Sequence, residues 1–326
     1  MGILDSDYTP NLSRVEDAID PNIMRASNAV LIGAGGLGTM ALNLVRLGIG
    51  QVTIIDHDIV EDTNLVRQEF TLSDRGKAKV DALKQLILWI NPNAQVNTYA
   101  KKVQGLTPQE ENKIFGNASI IIAGTDSQRA QQHANKLALK YNCPSISIGW
   151  YDRSWAFEIF FQIPGVTPAC YRCATSSRYQ ANRDEEIKVS SNGNTIFHSQ
   201  MLDSFAGLLA LAILHRDCYH WSILGGDFGN DPIKIRAGSA SQFYGSLEKD
   251  GIITHNFFQF KAHPYYSQNK FFKTAFDPLR ESTPAFVSYW QEVKAEIPEN
   301  GYEICPDCQG MLHEMVFDKN KDKDLN

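Results

Sequence analysis

The sequence predicts an α/β fold, with a mainly parallel, doubly wound sheet and a smaller β-rich distal part. Three observations predict it. Short apolar, β-branched runs alternate with helix-length runs through the first half of the chain, the pattern of parallel strands covered by helices. A glycine-rich turn joins the first of these strands to the first of these helices, the place where an open α/β sheet takes a ligand. Further on, the chain becomes rich in aromatic and turn residues, and two Cys-x-x-Cys pairs lie either side of that region.

Taken in order, residues 1–27 read as a helical or irregular arm. Asn28–Gly33 (NAVLIG) reads as a strand and Leu37–Leu47 as a helix. Val52–Asp56 is a strand, and Lys77–Ile90 has the apolar periodicity of an amphipathic helix. Gln95–Val103 and Ser119–Gly124 (SIIIAG) are strands, and Gln128–Lys140 is a helix. Pro144–Trp150 and Phe157–Ile163 are further strands, which closes a core over 28–175. Residues 176–198 are polar and read as a long exposed crossover loop. The distal part, 199–317, opens with the helix Ser199–Ile213 and contains one clear strand signal, ITHNFFQF. Residues 318–326 form a charged tail.

Composition narrows the function classes. The 326 residues are 43% hydrophobic and 21% charged, which is globular composition with ample core. Net charge is −6, without a basic block, so nucleic acid is not an expected partner. The N-terminal residues lack the basic start and apolar core of a signal peptide, and 18 apolar residues never run together. No membrane span is expected. Six cysteines in a chain of this length, without a secretion signal, point to a reducing, cytoplasmic setting, with thiols or metal ligands rather than disulfides.

The glycine turn is Gly33-Ala34-Gly35-Gly36-Leu37-Gly38, a G-x-G-x-x-G between strand and helix. Such a Rossmann-like turn lets the backbone approach phosphates, and the helix N-terminus favours negative charge. Asp56 ends the next strand and can bond a ribose hydroxyl, and Asp58 is a second candidate for that role. Alone, the turn fits NAD, FAD or ATP. The segment DHDIVEDTNLVRQEF (Asp56–Phe70) separates them. A nicotinamide enzyme has no use for Asn64, Arg67 and Lys79. An enzyme transferring AMP to a carboxylate does, because charge grows on the α-phosphate and pyrophosphate departs. Arg67 and Lys79 supply cations, and Asn64 a neutral donor. Asp126, past the strand SIIIAG, lies at a strand mouth where an acid can hold Mg²⁺.

GAGGLG, DHDIVEDTNLVRQ, Gly76-Lys77-Ala78-Lys79, Asn91-Pro92 and Thr125-Asp126 together resemble the ThiF/MoeB/HesA family, the adenylation domain of ubiquitin-activating-type enzymes. The order and spacing hold over about residues 28–175, with a weaker match out to Cys308. The resemblance implies Mg-ATP on the glycine loop (Gly33, Gly35, Gly36, Gly38), ribose contact from Asp56 or Asp58, phosphate contacts from Asn64, Arg67 and Lys79, and a metal-associated Asp126. It implies attack on the α-phosphate by the C-terminal glycine carboxylate of a ubiquitin-like or sulfur-carrier protein. It also implies a homodimer, in which an arginine of the N-terminal arm reaches the neighbouring ATP. Here the arm reads NLSRVEDAID, with Arg14 the first candidate and Arg25 the second. Where the family carries an arginine five residues after the metal-associated aspartate, this chain has Gln131, with Arg129 nearby.

Cys170-Tyr-Arg-Cys173 and Cys305-Pro-Asp-Cys308 suit a closed, tetrahedral Zn²⁺ site, and the resemblance supports zinc. Such a site would staple the distal part and do no chemistry. Cys143 reads as a buried small hydrophobe. Thioester-forming relatives place their cysteine in the crossover, and residues 174–197 contain none. The expectation is therefore adenylation without an obligatory enzyme thioester. Alternatives are a thioester at Cys218, with His215 and His220 beside it, adenylation of a peptide C-terminus as in microcin maturation, and a dinucleotide-dependent oxidoreductase.

Overall fold

The computed structural model describes residues 8–16, 18–151, 154, 156–167, 169–183, 192–216, 248–249, 252–253, 256–261, 290–292 and 305–309. It divides into two compact units, Met1–Thr125 with Thr195–Gly245, and Asp126–Asn194 with Ser246–Asn326.

The first unit is built on four parallel strands. They are β1 (Asn28–Ile32), β2 (Gln51–Ile55), β3 (Gln95–Tyr99) and β4 (Ile120–Ala123), in the order β4-β1-β2-β3. Continuous apolar sequence in β1 and β4 matches continuous burial, as a strand covered on both faces requires. The chain moves outward from β1 to β2 to β3, then returns to lay β4 on the other side of β1. The strand order therefore reverses between β1 and β4, and that is the switch point where such sheets bind ligands.

The helices of this unit are α1 (Pro21–Ala26), α2 (Gly38–Arg46), α3 (Lys79–Ile90), α4 (Pro108–Phe115) and α8 (Ile196–Leu214). Helix α2 packs against both α3 and α8. Helix α4 was not read from the sequence. Its Thr107-Pro108-Gln109-Glu110 start is a capping box with proline at the first helical position, a signal that was there to find. The strand expected over Gln95–Val103 stops at Tyr99, because Val103 turns inward within a short 3₁₀ turn. Helix α8 has the length and composition to cross a membrane, but it carries the buried Asp203, bonded to α2.

The arm, in its described part, lies against its own unit. A turn over Leu12–Ile19 buries Ile19, and Asp20 caps α1 through the N–H groups of Asn22 and Ile23. The Asp20 N–H donates to His215 Nε2 at 2.9 Å, and the opposite ring nitrogen meets the Leu211 carbonyl. His215 is thus a buried tie between arm and α8. Cys218 and His220, considered with it above, lie outside the described residues.

The second unit contains α5 (Gln128–Lys140), β5 (Ser145–Trp150), β6 (Ala156–Gln162), α6 (Tyr171–Ala174), α7 (Ser176–Ala181), β9 (Phe257–Lys261) and β10 (Trp290–Glu292). A two-residue pair, β7 (Glu248–Lys249) and β8 (Ile252–Ile253), completes its described strands. Its strands run antiparallel, β5 with β6, β6 with β9 and β9 with β10.

The structure differs from the exposed-loop reading of 176–198. Helix α7 occupies its start, and α8 begins at Ile196. Arg178 of α7 is buried and grips Glu158 of β6 through both guanidinium nitrogens, at 2.5 and 2.6 Å, while Tyr151 donates its hydroxyl to the same carboxylate. A polar stretch can be buried when its charges are paired in this way, which composition alone does not reveal. Cys143 is buried, as expected of a small apolar residue.

Candidate functional site

The glycine loop runs from β1 into α2, and backbone contact accounts for its composition. Gly33 has φ +108°, and a Cβ there would lie 2.7 Å from the Gly124 carbonyl oxygen, just past β4. A side chain is excluded both by torsion and by space. A Cβ on Gly35 would lie 2.5 Å from the Gln68 amide nitrogen. The segment after β2 is therefore folded directly onto the loop.

Loop amides divide into two groups. Gly33 N–H donates to the Ile55 carbonyl, and Ala34 N–H to Asp56 Oδ2 at 2.7 Å. The N–H groups of Gly35, Gly36, Leu37 and Gly38 meet no acceptor among the described residues. Successive amides with no protein acceptor, ahead of a helix N-terminus, form an anion-binding concavity. Nearby, the buried Gln68 Oε1 likewise has no hydrogen-bond partner among the described residues. The orphaned loop donors fit a phosphate-bearing ligand here.

Asp56 holds the loop and its own strand end together, because its second carboxylate oxygen accepts the Asp58 N–H at 2.8 Å. Asp58 in turn takes the Lys79 ammonium at 2.9 Å. Burial alone would raise the Asp58 carboxyl. The Lys79 hydrogen bond and charge, followed by His57 and Lys102, overcome that and hold it below the usual carboxylate range. Lys79 is the first residue of α3, and its side chain is only 9% exposed. A cation is disfavoured at a helix N-terminus, so neither propensity nor capping explains it. The Asp58 carboxylate is the partner that holds the ammonium there.

Asn64 is buried in a 3₁₀ turn. Its side-chain oxygen accepts the Glu61 N–H at 2.9 Å, which leaves the amide nitrogen without an acceptor among the described residues. Arg67 follows, half-buried, with its N–H on the Asn64 carbonyl. The structure thus brings Gly33 to Gly38, Asp56, Asp58, Asn64, Arg67 and Lys79 into one unit. Asp126 is exposed and opens the second unit, two residues past Gly124 and just before Ser127, the cap of α5. Gln131, at the departure from the family pattern, is buried and donates to the Ile148 carbonyl of β5. Arg129 on the same helix is exposed. Arg14 is exposed on the arm's turn, and Arg25 bonds Asn22 within α1.

Cys170, Cys173, Cys305 and Cys308 converge in the second unit, their sulfurs all within 4.8 Å of one another. Three S···S separations are 3.7 Å. A tetrahedron with Zn–S bonds of about 2.3 Å has edges of about 3.8 Å, so the sulfurs are spaced for zinc. Hydrogen bonding to Cys173 and its neighbours pushes the Cys170 thiol up, while bonds from Cys170 and the others push Cys305 down. The knuckles are also joined outside the sulfurs. Asp307 accepts from Arg172 Nη1 and from Asn135 Nδ2, both at 3.0 Å. Such outer partners orient metal ligands. Sequence reasoning missed Arg172 and Asp307, although each lies inside a Cys-x-x-Cys, in the matching position.

The switch-point sheet, the amide-lined loop and the four-thiol cluster define an α/β protein with an anion-binding type of turn and a cysteine cluster spaced to hold a metal. Residues 11–223 match the model of the ThiF family, and the chain belongs to that family. Over 240 residues it is 39% identical to a probable molybdopterin-synthase adenylyltransferase of Porphyra purpurea, covering 73% of this chain and 55% of that one. It is 30% identical over 152 residues to the adenylyltransferase and sulfurtransferase UBA4 of Meyerozyma guilliermondii, covering 46% of this chain and 34% of that one. The chain therefore spans from a third to about half the length of these two relatives. A crystal structure of selenomethionine PaaA shares the fold, with TM-score 0.51 and 19% identity, covering 74% of this chain and 72% of that one.

Proposed function

We propose that this chain is an adenylyltransferase that transfers AMP from ATP to the C-terminal carboxylate of a ubiquitin-like or sulfur-carrier protein. The observation that carries the reading is the row of unpartnered amides from Gly35 to Gly38, on the same unit as the buried Lys79 ammonium and the Asn64 amide. Membership of the ThiF family supports it, as do relatives named adenylyltransferases.

In this reading the loop amides hold the phosphates, Asp56 takes a ribose hydroxyl through its remaining lone pairs, and Asp58 keeps Lys79 charged and in place. A carboxylate oxygen of the carrier attacks the α-phosphorus. The bond from that phosphorus to the bridging oxygen breaks, and pyrophosphate leaves with the electron pair. Arg67, Lys79 and Asn64 stabilise the charge that develops on the phosphoryl oxygens. Asp126 would be the residue to hold Mg²⁺, a cation that would neutralise charge on the phosphates. Cys170, Cys173, Cys305 and Cys308 would hold zinc, which would serve as a structural centre. The protein works as a homodimer in the cytoplasm, with Arg14 of the arm completing the neighbouring site. Residues 174–197 carry no cysteine, so the acyl-adenylate is the enzyme's product, without an enzyme thioester.

Pyrophosphate exchange into ATP, dependent on a carrier ending in Gly-Gly, tests the reading. The expected result is exchange with the intact carrier and none with a carrier lacking its last glycine. Tight NAD binding with no response to ATP would remove it. A thiol-sensitive enzyme–carrier adduct that disappears in Cys218→Ala would replace it with a thioester mechanism.

A further inference from the structure

Helix α8 carries Ser199, Gln200 and Asp203 at a spacing that shares one face. Each reaches a piece of the phosphate site. Ser199 Oγ donates to the Arg67 carbonyl at 2.9 Å, beside the Ile196 N–H on the Val66 carbonyl. Gln200 donates to Glu69 Oε1 at 3.2 Å, and Thr39 of α2 donates its hydroxyl to the same oxygen at 2.6 Å.

Asp203 goes further. Its Oδ2 accepts the Met40 N–H at 2.9 Å, and its Oδ1 has no partner among the described residues. Met40 is the third residue of α2, whose own N-cap, Leu37, makes no side-chain bond. Asp203 therefore makes, from a different helix, the bond that an N-cap aspartate makes from its own. An apolar residue there would leave a buried N–H unsatisfied. A fully charged carboxylate there would oppose phosphate at the same helix end. The site avoids both. Burial raises the Asp203 carboxyl well above its usual range, against the pull of the Met40 amide and with Glu69 adding to the rise, which favours the neutral form. That form still accepts the amide while adding no negative charge.

We propose that Asp203 is a positioning residue for the nucleotide's phosphates: by capping α2 from α8, it sets the first turn so that the loop amides of Gly35 to Gly38 converge and stay free for phosphate. This rests on the ATP reading above. Calorimetry on the full chain with ATP, tripolyphosphate and adenosine tests it, using Asp203→Asn, Asp203→Ala and Asp203→Leu. Asp203→Asn, which keeps an uncharged acceptor, restores binding of all three ligands to within about twofold of wild type. Asp203→Ala loses about tenfold or more for ATP and tripolyphosphate, at unchanged adenosine affinity. Asp203→Leu keeps the branching and heavy-atom count of the side chain and gives the same pattern if the alanine variant does not fold. Wild-type tripolyphosphate affinity in the Ala or Leu variant overturns the proposal. So does an equal loss for adenosine, which would mean general loosening. A wild-type protein that binds neither ATP nor tripolyphosphate overturns the ATP reading itself, and this proposal with it.

Discussion

Replacing Lys79 with methionine separates a phosphate contact from a structural ion pair. The ammonium lies 2.9 Å from Asp58 Oδ2, with the lysine side chain 9% exposed and the aspartate 49% exposed. Methionine fills most of the volume of the aliphatic stem and removes the charge. Asp58 is half in water and can rehydrate, so losing the pair costs about 1 kcal/mol or less. Removing a cation from the first turn of α3 returns about 0.3–1 kcal/mol. The two terms oppose each other, and the melting temperature should move by no more than a few degrees. ATP binding has no such compensation. Loss of one charge-assisted hydrogen bond to a phosphate costs about 1.5–3 kcal/mol, or about 10- to 150-fold in Kd. Paired calorimetry and thermal melting measure both effects. An ATP Kd within about threefold of wild type would refute the placement of Lys79 against phosphate. A fall in melting temperature beyond about 10 °C with unchanged ATP affinity would show that the pair serves the fold.

Metal analysis should find about one zinc per chain, and Cys308→Ser should lower both that content and the melting temperature. Metal-free protein with unaltered melting would end the zinc assignment. Asp58 is held below its ordinary range in the folded state, so the stability it contributes is fully present above the unfolded carboxylate pKa. That contribution disappears as pH falls through the lowered folded value. Denaturant titrations across the acid limb should show this slope in wild type and a smaller one in Lys79→Met; equal slopes would assign the acid sensitivity to other carboxylates. Light scattering should give a dimer, and Arg14→Ala should slow pyrophosphate exchange while leaving ATP affinity near wild type. Unchanged exchange would reject a role for the arm arginine.

Much of the first unit was legible in the sequence. The strands Asn28–Ile32, Gln51–Ile55 and Ile120–Ala123 are apolar and β-branched because both their faces are covered, and that signal is local. The glycines of the loop are readable for a similar reason. Gly33 must adopt a torsion open to glycine and meet the Gly124 backbone. The cysteine pairs are readable because two thiols brought to one cluster from a single turn require a fixed spacing. Helix α4 was missed although its capping box was visible. Helix α7 was misread for a better reason: Ser176–Ala181 looks like loop until Arg178 finds Glu158, a partner 20 residues away in sequence.

The sequence by itself determined the α/β class, the glycine turn between strand and helix, the acid, amide and cations that follow it, and the four thiols. Each of these depends on a few neighbouring residues, so spacing and residue type carry the information. Only the tertiary structure decided how the side chains divide the work. Asp56 goes to Ala34 and Asp58 to Lys79, although two acids two residues apart look interchangeable in sequence. Asp203 caps a helix 163 residues away, and Asp307 joins two knuckles that are distant in the chain. Such pairings are chosen by burial, because a buried donor, acceptor or charge must find whatever partner the completed fold brings within reach, and chain position does not encode that distance.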